Sequence, residues 1–220
     1  MEVDERKRRI YERSHDPIRV LALSDGVIAI IITLLVLELH VPDLANGQSL
    51  GAALEEIRPS FIGFLISFVV VAIAWAGHRD LYALIIRTDR ALVWLNILYL
   101  FPLCLLPFGA SLLSRYESEP VALRMYGFLL VAILLTRLLM WLYATGRPHL
   151  LLFPVDHQSR WVGVLVIAAP GLAYGIGILI ARAHPTGSLV IYGLVPVAYF
   201  VGVTLARNAG PPGSAERDFT

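Results

Sequence analysis

Long apolar runs alternate with short polar segments along this chain. Each run holds about 20 residues, and a helix that rises about 1.5 Å per residue would then cover the ~30 Å hydrocarbon core of a bilayer. The pattern predicts six membrane-spanning helices, at about residues 20–39, 60–78, 91–113, 121–144, 160–181 and 187–206. We therefore expect an all-α, polytopic membrane protein with one six-helix domain over residues 1–206. A disordered cytoplasmic tail is expected over residues 207–220.

The composition supports a membrane protein and gives no sign of catalysis. Hydrophobic residues make up 57% of the 220 residues, and the mean hydropathy is +0.71. A soluble domain of this length rarely shows such values. The spans contain no evident nucleophile, carboxylate pair or metal-ligand cluster, so we expect neither an enzyme nor a bound metal or other cofactor. The expected partner is the lipid bilayer, and no nucleic acid.

Arginine residues outside the spans are distributed unevenly between the two sides of the membrane. The side that holds the N-terminal arm also holds most of them: Arg6, Arg8, Arg9, Arg13, Arg19, Arg79, Arg87, Arg90, Arg147, Arg160, Arg207 and Arg217. The other side holds Arg58, Arg115, Arg124 and Arg182. Because basic residues concentrate in cytoplasmic segments, we expect both termini in the cytoplasm and the protein in the inner (plasma) membrane.

The first apolar run contains a charged residue close to its start. Asp25 follows Arg19 by six residues, and a carboxylate at that depth is costly unless it is paired. The surrounding pattern is Arg19, three residues, Leu23-Ser24-Asp25, then Ile30 and the run Thr33-Leu34-Leu35-Val36-Leu37-Glu38. This pattern resembles the first helix of the transmembrane protein 175 family, whose signature has Phe at the position of Leu23.

The resemblance implies a potassium-selective channel with passive flux. Channels of this family occur on lysosomes and in many bacteria, and their first helix lines the central pore. Positions that match Ile30, Leu34 and Leu37 narrow the pore and form a hydrophobic gate, and bacterial members place a ring of threonines at the position of Thr33. The Ser-Asp signature occurs once in this chain, whereas a two-repeat subunit would carry it twice. A homotetramer is therefore the expected assembly, with potassium ions as the permeant.

Helix geometry alone leaves open the role of the apolar stripe formed by Ile30, Leu34 and Leu37. On a helix that turns about 100° per residue, Ile30, Leu34 and Leu37 fall within about 60° of one another, and Thr33 lies about 60° to one side of Ile30. Around a symmetry axis such a stripe would form stacked aliphatic rings that close a pore by expelling water. It also fits an ordinary interhelical or lipid-facing surface. Thr33 equally fits a hydroxyl that bonds to its own helix.

Polar side chains of the first three spans reach a similar depth near the cytoplasmic side. We expect a structural hydrogen-bond network of these residues: Ser24, Asp25, Trp75, His78 and Asn96. The resemblance supports this network, since the family's Ser-Asp motif bonds to polar residues on the second and third helices. Arg19 is expected to join it, although an ideal helix turns Arg19 toward the stripe. His78 also fits a plain interface histidine.

A second function remains open at this point. A proton-conducting or proton-coupled membrane transporter would use Asp25 and His78 as an intramembrane relay. An inverted repeat or a helix broken at mid-membrane would favour transport, and neither is clear in the sequence. Arg137, inside the fourth span, is expected to face inward or to pair with a carboxylate or carbonyl, because a lipid-facing charge there would be expensive. The sequence does not identify its partner.

Overall fold

The structure, a computed structural model of the chain, describes residues 16–44 and 47–208. The described residues form eight α-helices and one 3₁₀ turn over Pro148–Leu150. The helices are α1 Pro17–Val36, α2 Leu50–Glu56, α3 Arg58–Tyr82, α4 Arg90–Cys104, α5 Leu106–Arg115, α6 Pro120–Thr145, α7 His157–Ile180 and α8 Pro185–Asn208. Residues 207 and 208, which were expected to begin a disordered tail, still belong to α8. The remainder of that predicted tail lies outside the described residues.

Six helical segments in the described ranges are long and apolar enough to cross a membrane, as the hydropathy pattern predicts. They are Pro17–Leu37, Arg58–Tyr82, Arg90–Arg115, Pro120–Thr145, His157–Ile180 and Pro185–Gly202. The all-α, six-span fold class is therefore confirmed, and the chain is a multi-pass membrane protein.

Acidic N-caps explain where several of these helices begin. The Asp16 carboxylate accepts a hydrogen bond from the backbone N–H of Ile18 at 2.9 Å, directly before α1. Asp89 accepts from the backbone N–H of Leu92 at 2.8 Å and starts α4 in the same way. Asp156 caps α7. These side chains satisfy backbone donors that have no partner inside the helix, so the first span starts three residues before the apolar run at residue 20.

The third span is not one continuous helix, because α4 and α5 meet at a break. Pro107 has no N–H to give to the carbonyl of Leu103, and a proline ring crowds the preceding turn. Pro102, Pro170 and Pro196 lie inside α4, α7 and α8, which continue past them. The third span is thus interrupted locally between two helices.

Two small elements were not predicted. The short helix α2 starts at Ser49, whose hydroxyl accepts from the backbone N–H of Ala52 at 3.3 Å. An isolated antiparallel bridge between Ile85 and Leu151 joins the α3–α4 connection to the α6–α7 connection. We refer to the end of the bundle that holds this bridge and the start of α1 as the N-terminal end. The other end is the opposite end.

The hydrophobic core follows α6 through the bundle. Leu123, Tyr126, Leu130 and Met140 of this helix are fully buried, and α6 packs against α4, α5 and α7. Helix α1 instead lies at the edge, where it packs against α3 and α4. One side of α1 is therefore covered by its own subunit and the other side is not.

Candidate functional site

Helix α1 has a buried face and an exposed apolar face. Ser24, Ile28, Ile31 and Leu35 are buried against the subunit, and their spacing of three and four residues places them on one side of the helix. The other side carries large aliphatic side chains that are exposed by 60% at Ile30, 42% at Leu34 and 66% at Leu37. An apolar surface of this kind marks contact with lipid or with another protein surface. We call these three residues the α1 stripe.

Thr33 lies on the exposed side of α1, next to the stripe. Its hydroxyl donates a hydrogen bond to the backbone carbonyl of Ile30 at 2.8 Å. A hydroxyl has one proton and two acceptor lone pairs. The bond to the helix occupies the proton and leaves the oxygen free to accept from water or to contact a cation.

A buried chain of hydrogen bonds ties α1 to α3 and α4. His78 lies 2.7 Å from the Asn96 side-chain oxygen, and the Asn96 amide donates to the Ser24 hydroxyl at 2.9 Å. Ser24 in turn donates to the backbone carbonyl of Val20 at 2.9 Å. Since an amide oxygen can only accept, this order assigns a proton to His78 Nε2. We call Ser24, Asn96 and His78 the polar chain.

Aromatic rings enclose the histidine at the end of the polar chain. The ring of His78 stacks on Tyr82 at a centroid distance of 4.5 Å and on Tyr99 at 5.6 Å. The Nδ1 atom of His78 has no hydrogen-bond partner among the described residues. Neither tyrosine was predicted, yet Tyr82 follows His78 by four residues and Tyr99 follows Asn96 by three. That helical spacing could have identified both.

Asp25 makes a separate contact outside the polar chain. Its carboxylate accepts a hydrogen bond from the Trp75 indole N–H at 2.9 Å, and the guanidinium of Arg79 lies over the Trp75 ring at 5.4 Å. The described part of the chain shows no hydrogen bond from Asp25 to His78 or Asn96. Successive helix residues point about 100° apart, so Ser24 enters the bundle while Asp25 stays half-buried at its edge. The predicted network is thus divided in two.

Arg19 does not join either group within the subunit. Its side chain is exposed, and the described residues offer it no hydrogen bond or ion pair with Ser24, Asp25 or their partners. On an α-helix Arg19 lies about 20° from Ile30 and about 140° from Ser24. The helix therefore carries Arg19 to the side of the α1 stripe, and its membership of the polar network stays a prediction.

The described residues hold no group of three His, Cys, Asp or Glu side chains that could bind a metal ion. The exposed side of α1 instead offers one polar atom, the Thr33 hydroxyl oxygen, beside the stripe. The site thus combines an exposed apolar helix surface with polar side chains behind it that fix the helix to the bundle.

Known proteins are similar to this chain in sequence and in fold. The family model described as "Endosomal/lysosomal potassium channel TMEM175" matches residues 19–107. A potassium channel of Streptomyces collinus is 32% identical over 185 residues, which cover 82% of this chain and 90% of that protein. The human endosomal/lysosomal proton channel TMEM175 is 25% identical over 193 residues, which cover 84% of this chain and 38% of the human protein.

A solved structure agrees with these relatives. The crystal structure of a lysosomal potassium-selective channel TMEM175 homolog from Chamaesiphon minutus matches with a TM-score of 0.74 and 26% identity. The match covers 84% of this chain and 97% of that chain. The resemblance first found in the pattern around Ser24 and Asp25 therefore extends over most of the fold.

Proposed function

Because this chain belongs to the TMEM175 family of ion channels, we propose that it is a potassium channel that conducts ions passively across a membrane. The Streptomyces collinus relative is named a potassium channel, and the solved Chamaesiphon minutus homolog is described as potassium-selective. The two matches cover 82% and 84% of this chain.

The observation that carries the proposal is the exposed α1 stripe. Ile30, Leu34 and Leu37 present large apolar side chains at the edge of a subunit whose other helices pack around α6. Four copies arranged with α1 innermost would cover this surface and turn it into stacked aliphatic rings. A narrow apolar ring holds little water, so it can act as a hydrophobic gate.

Thr33 is the proposed selectivity residue. Backbone carbonyls of an intact helix are already bonded within it, so the oxygen that four subunits can offer near the gate is the Thr33 hydroxyl. Its proton is held by the carbonyl of Ile30 at 2.8 Å, which orients the lone pairs away from that carbonyl. Potassium is less tightly hydrated than sodium and would tolerate the partial dehydration at such a ring better.

The polar chain and the Asp25–Trp75 pair are proposed to hold α1 in register. A pore-lining helix that carries an apolar stripe on one side needs a fixed rotation about its axis. A rotation by one residue, about 100°, would turn the α1 stripe away from the pore and bring other side chains into its place. Ser24 and Asp25 are bonded to α4 and α3 respectively, so two contacts about 100° apart resist rotation in both directions.

The proposed orientation places both termini in the cytoplasm of a bacterial cell, within its inner membrane. The N-terminal end of the bundle carries Arg79, Arg87, Arg90, Arg147 and Arg160, and the opposite end carries Arg58, Arg115, Arg124 and Arg182. Together with the basic N-terminal arm, this asymmetry follows the positive-inside rule.

Measuring potassium flux from liposomes tests the proposal and distinguishes potassium conduction from proton conduction. Purified full-length protein is reconstituted with potassium inside and N-methyl-D-glucamine outside, and proton uptake is followed with a pH-sensitive dye. A potassium channel produces uptake once a protonophore is added, without valinomycin. A proton channel produces uptake once valinomycin is added, without a protonophore.

Proton uptake that occurs with valinomycin alone, and does not occur with the protonophore alone, would overturn the proposal in favour of the proton alternative. That alternative, a relay through Asp25 and His78, has less support, because the two side chains share no hydrogen bond in the described ranges. Empty liposomes and liposomes with sodium in place of potassium serve as controls.

A further inference from the structure

Helix α6 carries a cation inside the membrane-spanning part of the bundle. Arg137 lies eight residues before the end of α6 at Thr145, which is about 12 Å along the helix axis. Its guanidinium packs against Gly77 of α3, at a place where any side chain would collide with it, and interacts with the Tyr99 hydroxyl. No carboxylate of the described residues forms an ion pair with it. A charge at this depth calls for a counter-charge.

Arg137 also lines a cavity. It has a volume of about 50 Å³, and its wall is almost entirely apolar. The residues that define its character are Arg137, Tyr99, Tyr174, Tyr199, Pro170 and Pro196. Each proline lacks a backbone N–H and disturbs the packing of the turn before it, so α7 and α8 both leave room at the level of the arginine.

The size of the cavity limits its occupant. One water molecule needs about 10–15 Å³ by this kind of measure, so 50 Å³ accommodates an oxyanion headgroup and little more. Sites for whole small molecules are about 300–1,000 Å³. An occupant with a long apolar part would therefore insert its head and leave the rest in the bilayer.

We propose that this cavity binds the anionic headgroup, a carboxylate or a phosphate, of a membrane amphiphile. The guanidinium of Arg137 presents a planar fork of donors that matches two oxygens of such a headgroup, and the hydroxyls of Tyr174 and Tyr199, which also line the cavity, can donate further hydrogen bonds. In the low dielectric of the bundle this pairing is stronger than at an exposed surface. An uncharged amphiphile of the same shape would leave the arginine without a counter-charge.

The site adjoins the polar chain behind α1. Tyr99, which lines the cavity, donates to the backbone carbonyl of Ala74 at 2.9 Å and stacks on His78. An occupant would thus touch a side chain that packs directly on the polar chain. This gives the site a physical connection to the helix that is proposed to line the pore.

Binding can be measured without any ion flux, so the test is independent of the proposed function. Purified full-length protein in a non-ionic detergent is titrated with radiolabelled oleic acid at alkaline pH, with oleyl alcohol as the uncharged analogue and oleoyl lysophosphatidic acid as the phosphate source. Oleate or the lysophosphatidate is expected to bind saturably, and oleyl alcohol at least tenfold more weakly. Binding of oleate would identify the headgroup as a carboxylate, and binding of the lysophosphatidate would identify it as a phosphate.

Arg137→Gln is expected to weaken binding of the preferred acid about tenfold or more. Arg124→Gln, on the same helix toward the opposite end, is the matched control and should change binding less than twofold. If size-exclusion chromatography shows that Arg137→Gln is misfolded, Gly77→Ala replaces it, since the added methyl displaces the guanidinium. Equal binding of oleyl alcohol, or undiminished binding of both acids by the arginine variant or its replacement, would overturn the proposal.

Discussion

Replacing Asn96 with alanine is expected to destabilise the bundle more than the loss of an ordinary buried polar group. Asn96 is fully buried and bonds to two other helices, through Ser24 on α1 and His78 on α3. Two interhelical hydrogen bonds in a membrane protein contribute about 0.6 kcal/mol each. The variant also leaves the His78 Nε2–H buried without a partner, which costs about 1–3 kcal/mol.

The expected loss is therefore about 2–4 kcal/mol. For a chain of this length, about 2–4 °C of unfolding temperature corresponds to each kcal/mol, so the midpoint should fall by roughly 5–15 °C. The midpoint is measured by intrinsic tryptophan fluorescence or by loss of the size-exclusion peak after heating in detergent.

Thr136→Ala is the matched control for this variant. Thr136 is also buried, at 9% exposure, but its hydroxyl donates to carbonyls of its own helix at Ala132 and Ile133. Deleting the hydroxyl breaks no hydrogen bond between helices and leaves no buried donor unpaired. We expect a fall in the midpoint of a few degrees at most.

Repeating Asn96→Ala in the His78→Phe variant separates the cost of the unpaired histidine from the other free-energy costs of the substitution. In His78→Phe protein no ring N–H remains to be stranded, so Asn96→Ala should then cost at least about 1 kcal/mol less than in the wild type. Fully additive effects of the two substitutions would refute the hydrogen-bond chain described here. A midpoint for Asn96→Ala no lower than that of Thr136→Ala would do the same.

Three further predictions concern the gate, the selectivity and the dependence on pH. Asn at Ile30, Leu34 or Leu37 should wet the constriction and raise basal potassium flux in the liposome assay, and Ala should do so partially; unchanged flux in all three Asn variants would place the gate elsewhere. Thr33→Val should lower the potassium-to-sodium permeability ratio obtained from reversal potentials, whereas Thr33→Ser should preserve it. Desolvation of Asp89 opposes its ionisation, but the Leu92 N–H and the Tyr143 hydroxyl outweigh this and hold the pKa of Asp89 below its usual range. A lowered folded-state pKa gives stability that is present above the unfolded pKa, about 3.9, and is lost as the pH falls through the folded value. The unfolding midpoint of Asp89→Asn should therefore fall less below about pH 4 than that of the wild type.

Much of the fold could be predicted because its causes are local. The span count follows from apolar runs of membrane length, and the polar chain from polar residues at matching depth on consecutive spans. The start of α1 was missed by three residues, since Asp16 and Pro17 extend the helix into a polar segment. The short helix α2 was missed because a single Ser49 cap is a weak signal in a loop.

The division of the polar residues required three-dimensional placement. Ser24 and Asp25 are adjacent in sequence, and grouping them in one network was natural from depth alone. A helix rotates about 100° between them, so one enters the bundle and the other meets Trp75 at its edge. Arg19 shows the same effect. Its depth in the membrane is similar to that of the network residues, but the rotation of the helix carries its side chain to the exposed side of α1.

Thr33 shows why a contact inside one subunit does not decide between the two interpretations of this residue. The hydrogen bond from its hydroxyl to Ile30 is what a purely structural threonine would make. An ion-coordinating threonine would make it too, since donating the proton to the helix leaves both lone pairs available. The bond therefore carries no weight for or against selectivity. The difference between valine, which keeps the shape and removes the oxygen, and serine, which keeps the oxygen, isolates the one property on which the two interpretations disagree.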